Sequence, residues 1–499
     1  MARDLAAGID SSTQSCTVAL RRLNDGAVVA EARAPHPPTT PPISEQRPEA
    51  WWRTLEACLS QLGDLVARIA AISVGGQGHG LVLLDADDRS LRPAKLWNDT
   101  ESAPDAERLL QALPAEEWAR RTGSVPGPAL TVSKLAWTER NHPGLIASAA
   151  KILLPFDYLV YRLSGRAVTE RGGASGTGYF NPFDNRWELG LADLAAPDVD
   201  WAPKLAEVIA SDAPAGIVDE GRGPRALAGA VVGAGTGDNM TAALGLDVRE
   251  GDMVVSLGTS GTIYARTPIG VRDATGEING YADATGSFLP MVTTLNAAKV
   301  TDAFRRLLGV SFAEFDALAL SAPPGAGGLT LVPYLDGERT PNRPAATGTL
   351  FGLRSDVTPA AVARAAVDGV LCGLLDGGDL LARHGVKSEG RLILTGGAAR
   401  SQAYRQALAD LTGRPVWVCP MAETAAAGAA VQAAAALERT STDQVAAAWA
   451  PRLEIGAEPD ARAIEPARAV RQIYRQAATR GGEPAPSASR PAERRAAHV

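Results

Sequence analysis

The sequence predicts an α/β protein of two domains, and three observations carry that prediction. At 499 residues the chain exceeds one ordinary domain. Short apolar runs enter glycine-rich loops and then helical patterns, first across residues 228–246 and again across residues 391–411. The layout of strand, small hydroxyl-bearing turn and returning strand occurs twice, at residues 9–17 and 252–266, which suggests a duplicated architecture.

Composition narrows the class. The chain is 45% hydrophobic and 21% charged, as a soluble globular protein is. A net charge of −7 argues against a dedicated nucleic-acid binder. No apolar run approaches the roughly 20 residues that span a bilayer, and Met1-Ala2-Arg3-Asp4 is followed by no signal-peptide core. Cys16, Cys58, Cys372 and Cys419 are scattered without a C-x-x-C pair, against a zinc site or disulfide framework; the cytoplasm is the expected compartment.

In chain order, Leu5–Ile9 is a short apolar strand ending at Asp10 and Ser11-Ser12-Thr13-Gln14. Asp10 has two readings: a turn aspartate bonding its own backbone, or an oxygen ligand for a metal at a phosphate-facing hairpin. Asn24-Asp25-Gly26 is a hairpin turn, and Ala27–Ala34 returns. Pro48 opens a helix whose Trp51, Trp52, Leu55, Cys58 and Leu62 are core. Ile69–Val74 is a strand running into Gly75-Gly76-Gln77-Gly78-His79-Gly80, where a histidine in so small-residued a loop points to ligand contact. A further hairpin ends at Trp97-Asn98-Asp99. Helical patterns follow at residues 103–113, 114–122, 131–141 and 153–163, then a loop over residues 172–178. Tyr179, Phe180, Phe183 and Trp187 either cover a sugar or, as aromatic clusters more often do, pack a lobe.

The central stretch is Gly233-Ala234-Gly235-Thr236-Gly237-Asp238-Asn239, between a strand at residues 228–234 and a helix start at residues 240–246. Asp238 reads as an N-cap, or as a general base held ionised at a helix N-terminus and aimed into a cleft. Beyond it, Asp252–Leu257, Gly258-Thr259-Ser260-Gly261-Thr262 and Ile263–Arg266 repeat the first hairpin without its acid. Helices are expected at residues 297–308, 312–321 and 359–384, with a charged loop at residues 336–341. Strand 391–394 enters Thr395-Gly396-Gly397-Ala398-Ala399-Arg400-Ser401 ahead of a helix, a geometry that nucleotide sites use. A small-residue helix at 425–437 and a last helix at 471–478 complete the pattern.

Taken in order, these motifs resemble the FGGY carbohydrate kinases, and within them the actinobacterial xylulokinases. The likeness rests on residues 8–15, 76–80, 96–99, 235–239, 256–261, 336–341 and 396–401 and spans about residues 5 to 440. The resemblance implies two actin-like, RNase H-like domains with ATP and sugar between them. The expected division is 1–240 (sugar site and first phosphate hairpin), 241–440 (ATP), a helical extension at 441–480 and a disordered tail at 481–499. It implies transfer of the ATP γ-phosphoryl to D-xylulose, with Mg²⁺, no nucleic-acid or membrane partner, and a homodimer as one open assembly.

Residue by residue, Asp238 falls on the family's base and Asp10 on the acid near metal and phosphates; both are the expected metal ligands. Gly78, His79, Trp97, Asn98, Asp99 and Asn239 fall near the sugar. Ser12, Thr13, Gln14, Gly258, Thr259 and Ser260 fall on the phosphate hairpins, and Gly396, Gly397, Ala398 and Ser401 on the adenosine loop. Two departures stand out: Gly78 replaces a larger residue, and Gly172-Gly173 occupies a loop where relatives tend to place an acid. Phosphoryl transfer is mostly positioning and charge neutralisation, and an Asp238 of ordinary pKa, near 4, would be a weak base towards an alcohol. Open alternatives are a kinase for ribulose, gluconate or glycerol, an idle sugar-binding paralogue, and an actin-like or chaperone-type ATPase. Glycerol kinases usually carry Asp-Gln at the catalytic pair, so Asp238-Asn239 favours a ketose.

Overall fold

Alternation of apolar strands with amphipathic helices builds one mixed sheet from each half of the chain. The computed structural model describes residues 3–421 and 423–480; the tail expected at 481–499 lies outside the described residues. Strands β1 (Leu5–Ser11) and β2 (Ser15–Arg22) form the first hairpin. The chain returns as β3 (Val28–Pro35) through a turn where Gly26 adopts φ 66° and donates to Arg22 O at 2.8 Å. Helix α1 (Pro48–Leu62) buries Trp51, Leu55, Cys58 and Leu59 against this sheet. Next comes β4 (Ile69–Gly76), buried at every position because both its faces are covered; it pairs in parallel with β1.

The helix expected at residues 153–163 divides at Pro155. Leu154, ahead of the proline, stays extended, so Lys151–Leu153 is a strand and α2 (Pro155–Ser164) starts on the proline. Strands β5 (Pro214–Ile217) and β6 (Val231–Gly233) complete the sheet order β5-β6-β4-β1-β2-β3. The single strand expected at 228–234 is shorter than that. After Gly233, Gly235 at φ 74° turns the chain so that Thr236–Gly237 returns to pair with Gly75 and Gly76. Helix α3 (Asp238–Gly245) begins at once.

The second half repeats the plan. Strands β7 (Met253–Leu257) and β8 (Gly261–Ala265) form the second hairpin, joined by β9 (Ile278–Ala282) and β10 (Phe288–Thr294). The long α4 (Pro359–Arg383) leads to β11 (Leu392–Thr395), α5 (Gln402–Thr412), β12 (Val416–Val418) and α6 (Thr424–Glu438). Strand β13 (Glu454–Ala457) adds an edge that the sequence pattern did not show, and α7 (Ile464–Arg480) closes the described chain, starting earlier than residue 471. The sheet order is β9-β10-β8-β7-β11-β12-β13. In both sheets the hairpin's first strand pairs in parallel with the next sheet strand, then another parallel strand, then an antiparallel edge.

Helix α6 belongs to the second half by sequence yet lies on the first sheet. A Cβ at Gly8 would sit 1.8 Å from Ala426 O, and one at Gly428 would sit 1.7 Å from Thr241 O. Only glycine admits backbones that close, so α6 joins β1 and α3 in one tight layer. A satellite core covers the aromatic cluster: Tyr179 stacks on Trp187, and Phe180 meets Trp187 edge-on. Of the two readings of these aromatics, packing of a lobe fits.

Candidate active site

The parallel strands align the candidate acids. Asp10 sits beside Gly75, and Gly75 beside Thr236, so three strand ends set Asp10, the Gln77 loop and Asp238 along one edge. One Asp10 oxygen accepts the Ser12 hydroxyl at 2.6 Å. Asp238 Oδ1 accepts both the backbone and side-chain nitrogens of Asn239, each at 2.8 Å. The second oxygen of each acid has no side-chain donor among the described residues.

Burial dominates their titration. It pushes Asp10 up to about 7, opposed by the Ser12 hydrogen bond and reinforced by the charges of Asp238 and Glu423. It pushes Asp238 up to about 6 against the Asn239 hydrogen bonds. The expected ordinary value near 4 is therefore corrected: desolvation outweighs the helix N-terminus. Neither acid makes an ion pair with lysine or arginine among the described residues. Two buried carboxylates, one within Coulombic reach of the other and neither ion-paired among the described residues, form a donor set that suits a hard divalent cation.

The sugar-side candidates divide. His79 holds a left-handed φ of 62°, and its Nδ1 lies 2.7 Å from Gly176 O. A carbonyl only accepts, so Nδ1 carries the proton and Nε2 is the lone-pair side. Burial pushes the imidazole down to about 4, which keeps it neutral. A Cβ at Gly78 would meet nothing within 4 Å, so the small residue leaves open space. Trp97 donates to Thr13 Oγ1 at 2.9 Å and ties this wall to the first hairpin. Asn98 Oδ1 is buried without a hydrogen-bond partner among the described residues. Asp99 stands apart: fully buried, it accepts from Ser44 N, Lys95 Nζ and Glu101 N at 2.9, 3.0 and 3.1 Å. Lys95 Nζ also faces Glu45 at 3.2 Å and Glu101 at 2.5 Å, so this acidic cluster already holds its cation.

The two hairpins have connections of equal length. Each has a three-residue connection, residues 12–14 or 258–260, but they close differently: Ser12 N donates to Ser15 O on the returning strand, and Gly258 N to Ser260 O within the connection, both at 3.0 Å. Thr259 and Gly258 give their carbonyls to Ala297 N and Ala298 N at 3.3 and 2.9 Å. Gln14 is exposed and holds His36 N through its carbonyl at 2.8 Å. Register Ser256↔Thr395 sets Gly396, Gly397 and Ala398 beside the second hairpin. Gly396, at φ 87°, would place a Cβ 2.5 Å from Leu257 O. Ser401 caps α5, accepting Tyr404 N at 3.1 Å and donating to Asp316, so its hydroxyl is committed.

Sequence reasoning missed several residues here. The stretch at 172–178 begins as a helical turn, Arg171–Ser175, capped by Glu170. Glu170 is buried, accepts Gly172 N and Gly173 N at 2.8 and 2.6 Å, and takes the Thr236 hydroxyl. Burial pushes it up to about 7. This loop therefore has its acid, placed earlier, and an acid before two glycines is the signal that could have found it. A Cβ at Gly173 would lie 2.2 Å from Phe156 Cζ, so that position has no room for an aspartate. Gln432 reaches from α6 to accept Ser73 Oγ at 2.7 Å and donate to Gly235 O at 3.4 Å. From the second half, Tyr281 OH lies 3.4 Å from His79 Nε2, and Arg339 donates to Asn279 Oδ1 at 3.3 Å. The Gln432–Ser73 and Tyr281–His79 contacts join residues 359 and 202 positions apart, and no local pattern reports them.

Residues 5–245 match the FGGY family of carbohydrate kinases, N-terminal domain, and residues 253–437 match its C-terminal domain. The chain belongs to this family and is a carbohydrate kinase by descent. It is 42% identical to the xylulose kinase of Streptomyces coelicolor over 462 residues, 92% of this chain and 93% of that one. Among solved structures it is similar to the xylulose kinase from Bifidobacterium adolescentis, with a TM-score of 0.83 and 34% identity over 95% of this chain and 99% of the other. A Brucella ovis kinase structure gives a TM-score of 0.87 at 26% identity, covering 95% and 99%. No helix among the described residues is long and apolar enough to cross a membrane.

Proposed function

We propose that this chain transfers the γ-phosphoryl of ATP to the C5 hydroxyl of D-xylulose. The observation that carries the reading is the pair Asp10 and Asp238, set by strand register at one sheet edge, both desolvated, and neither ion-paired among the described residues. The substrate follows from the xylulose kinases to which the chain is similar over most of its length. Asp238 Oδ1 is occupied by Asn239, so the other oxygen is free to orient the attacking hydroxyl and accept its proton. A base raised to about 6 accepts that proton more readily than an ordinary aspartate. Asp10, with Asp238, would hold Mg²⁺, which supplies charge neutralisation at the phosphates. The amides of Thr13, Gln14, Thr259 and Ser260 face the phosphates in this reading, and Gly396–Ala398 lie along the adenosine.

His79, Asn98, Asn239 and Trp97 surround the sugar in this reading, while Asp99 shapes their loop from behind. Glu170 fixes Thr236 and, through the Gly172–Gly176 turn, the carbonyl that holds His79. The test is ADP release over D-xylulose, D-ribulose, gluconate and glycerol on one preparation. D-xylulose is expected to give the highest kcat/KM and glycerol a poor one; a clear win for another acceptor overturns the substrate.

A further inference from the structure

A chain of hydrogen bonds runs from Tyr281 in the second half of the chain through His79 to Gly176 in the first. Arg339 is a positive charge near the Tyr281 hydroxyl. His79 Nε2 carries a lone pair, so between these two groups the Tyr281 hydroxyl is the donor. That proton points to His79 Nε2, 3.4 Å distant, a long contact whose rings lie 5.3 Å apart. His79 is already fixed as an acceptor at Nε2 by the bond from Nδ1 to Gly176 O. Beside Tyr281, Asn279 Oδ1 accepts from Arg339, which leaves Asn279 Nδ2 buried with no partner. Once His79 Nε2 is taken by another group, the hydrogen-bonding capacity left on this wall among the described residues consists of donors: Tyr281 O–H and Asn279 N–H.

Elementary sugar chemistry supplies the ligand. A pentulose that closes into a furanose does so through its C5 oxygen. Transfer to that oxygen requires the open chain, which carries a free C2 carbonyl. A carbonyl accepts two hydrogen bonds and donates none. Against a wall of donors it is satisfied fully, whereas an alcohol brings a proton that finds no acceptor there.

We propose that Tyr281 reads the ketone: a sugar hydroxyl takes over His79 Nε2, and the released Tyr281 O–H donates to the C2 carbonyl oxygen. The C-terminal lobe then contributes the group that separates a ketose from the polyol of the same length. This rests on the pentulose reading above.

Tyr281→Phe removes one oxygen and keeps the ring, so fold is checked simply by its melting temperature. The measurements are kcat and KM for D-xylulose, inhibition constants for xylitol and D-arabitol (its two C2-reduced forms), and KM for ATP. The expected result is a loss of about tenfold to a hundredfold in kcat/KM for D-xylulose, with pentitol inhibition constants and ATP KM changed less than about threefold. Equal losses for ketose and pentitols, or no loss for either, overturn the proposal. If the wild-type enzyme fails to phosphorylate D-xylulose, the substrate assignment fails instead, and pentitol binding identifies that case separately.

Discussion

The two hairpins, β1–β2 and β7–β8, share strand order and connection length. The difference that carries charge falls at one register position near the turn. Asp10 stands opposite Thr17 in the first, and Ser256 stands opposite Thr262 in the second. One hairpin thus brings a carboxylate, desolvated and close to a second one, and the other brings only amides and hydroxyls. A cleft built from two copies of one fold needs its charge on one side. An acid on both would add a further negative group against the nucleotide, and an acid on neither would leave the cation short of an oxygen ligand.

The largest expected effect comes from the acid next to that asymmetry. Asp238→Ala should lower sugar-dependent ADP formation by about 10²–10⁴, with the melting temperature retained. Wild-type turnover in that variant removes the base assignment. Asp10→Ala should raise the Mg²⁺ concentration for half-maximal rate by at least about tenfold while leaving sugar binding near wild type, because the cation loses an oxygen ligand. A Mg²⁺ titration with an unchanged midpoint would reduce Asp10 to a turn residue. Copying the acid into the second hairpin sharpens the comparison: Ser256→Asp should raise KM for ATP by about tenfold, the scale of one screened like charge near phosphate. Tight ATP use by that variant would mean the second hairpin does not face the phosphates.

Much of this site was legible in local sequence. Asp10, Asp238 and His79 sit at strand ends in glycine loops, where periodicity changes and few structural roles compete. The duplicated hairpins could be read because each needs only a strand, three small residues and a return. What could not be read was the wall contributed from elsewhere. Tyr281 lies inside an ordinary buried strand, Ile278–Ala282, and only strand pairing across the second sheet turns it to His79. Gln432 sits in an alanine-rich helix that looks like pure packing, yet it reaches Ser73 in the other half. Asp99 erred the other way: next to an aromatic it read as a ligand contact, while its three donors come from residues 44, 95 and 101. The raised pKa of Asp238 also follows from burial, which a helix-start motif does not report.

The smallest effect tests the cost of placing the acid where it is. Burial lifts Asp10 from 3.8 to about 7 in the folded protein. Between those values the folded state binds a proton that the unfolded state has released, so stability falls as pH rises through this window. The stabilising contribution is complete below about 4 and lost above about 7. An Asp10→Asn variant has no charge at this position at any pH and lacks this slope. Without ligands, the variant should therefore be more stable than wild type at pH 8, and the difference should vanish near pH 4. A full three-unit shift would correspond to about 4 kcal/mol; with Asp10 half-buried at the cleft, about 1–2 kcal/mol is expected after solvent screening. Mg²⁺ with a non-hydrolysable ATP analogue should reverse the order at pH 8, because only the wild type then recovers a counter-charge for the acid. Thermal melts from about pH 4.5 to 8.5, with and without that ligand, decide it. A difference that stays flat with pH would mean Asp10 is ionised at no cost in the empty cleft, and the electrostatic contrast between the hairpins would lose its physical basis.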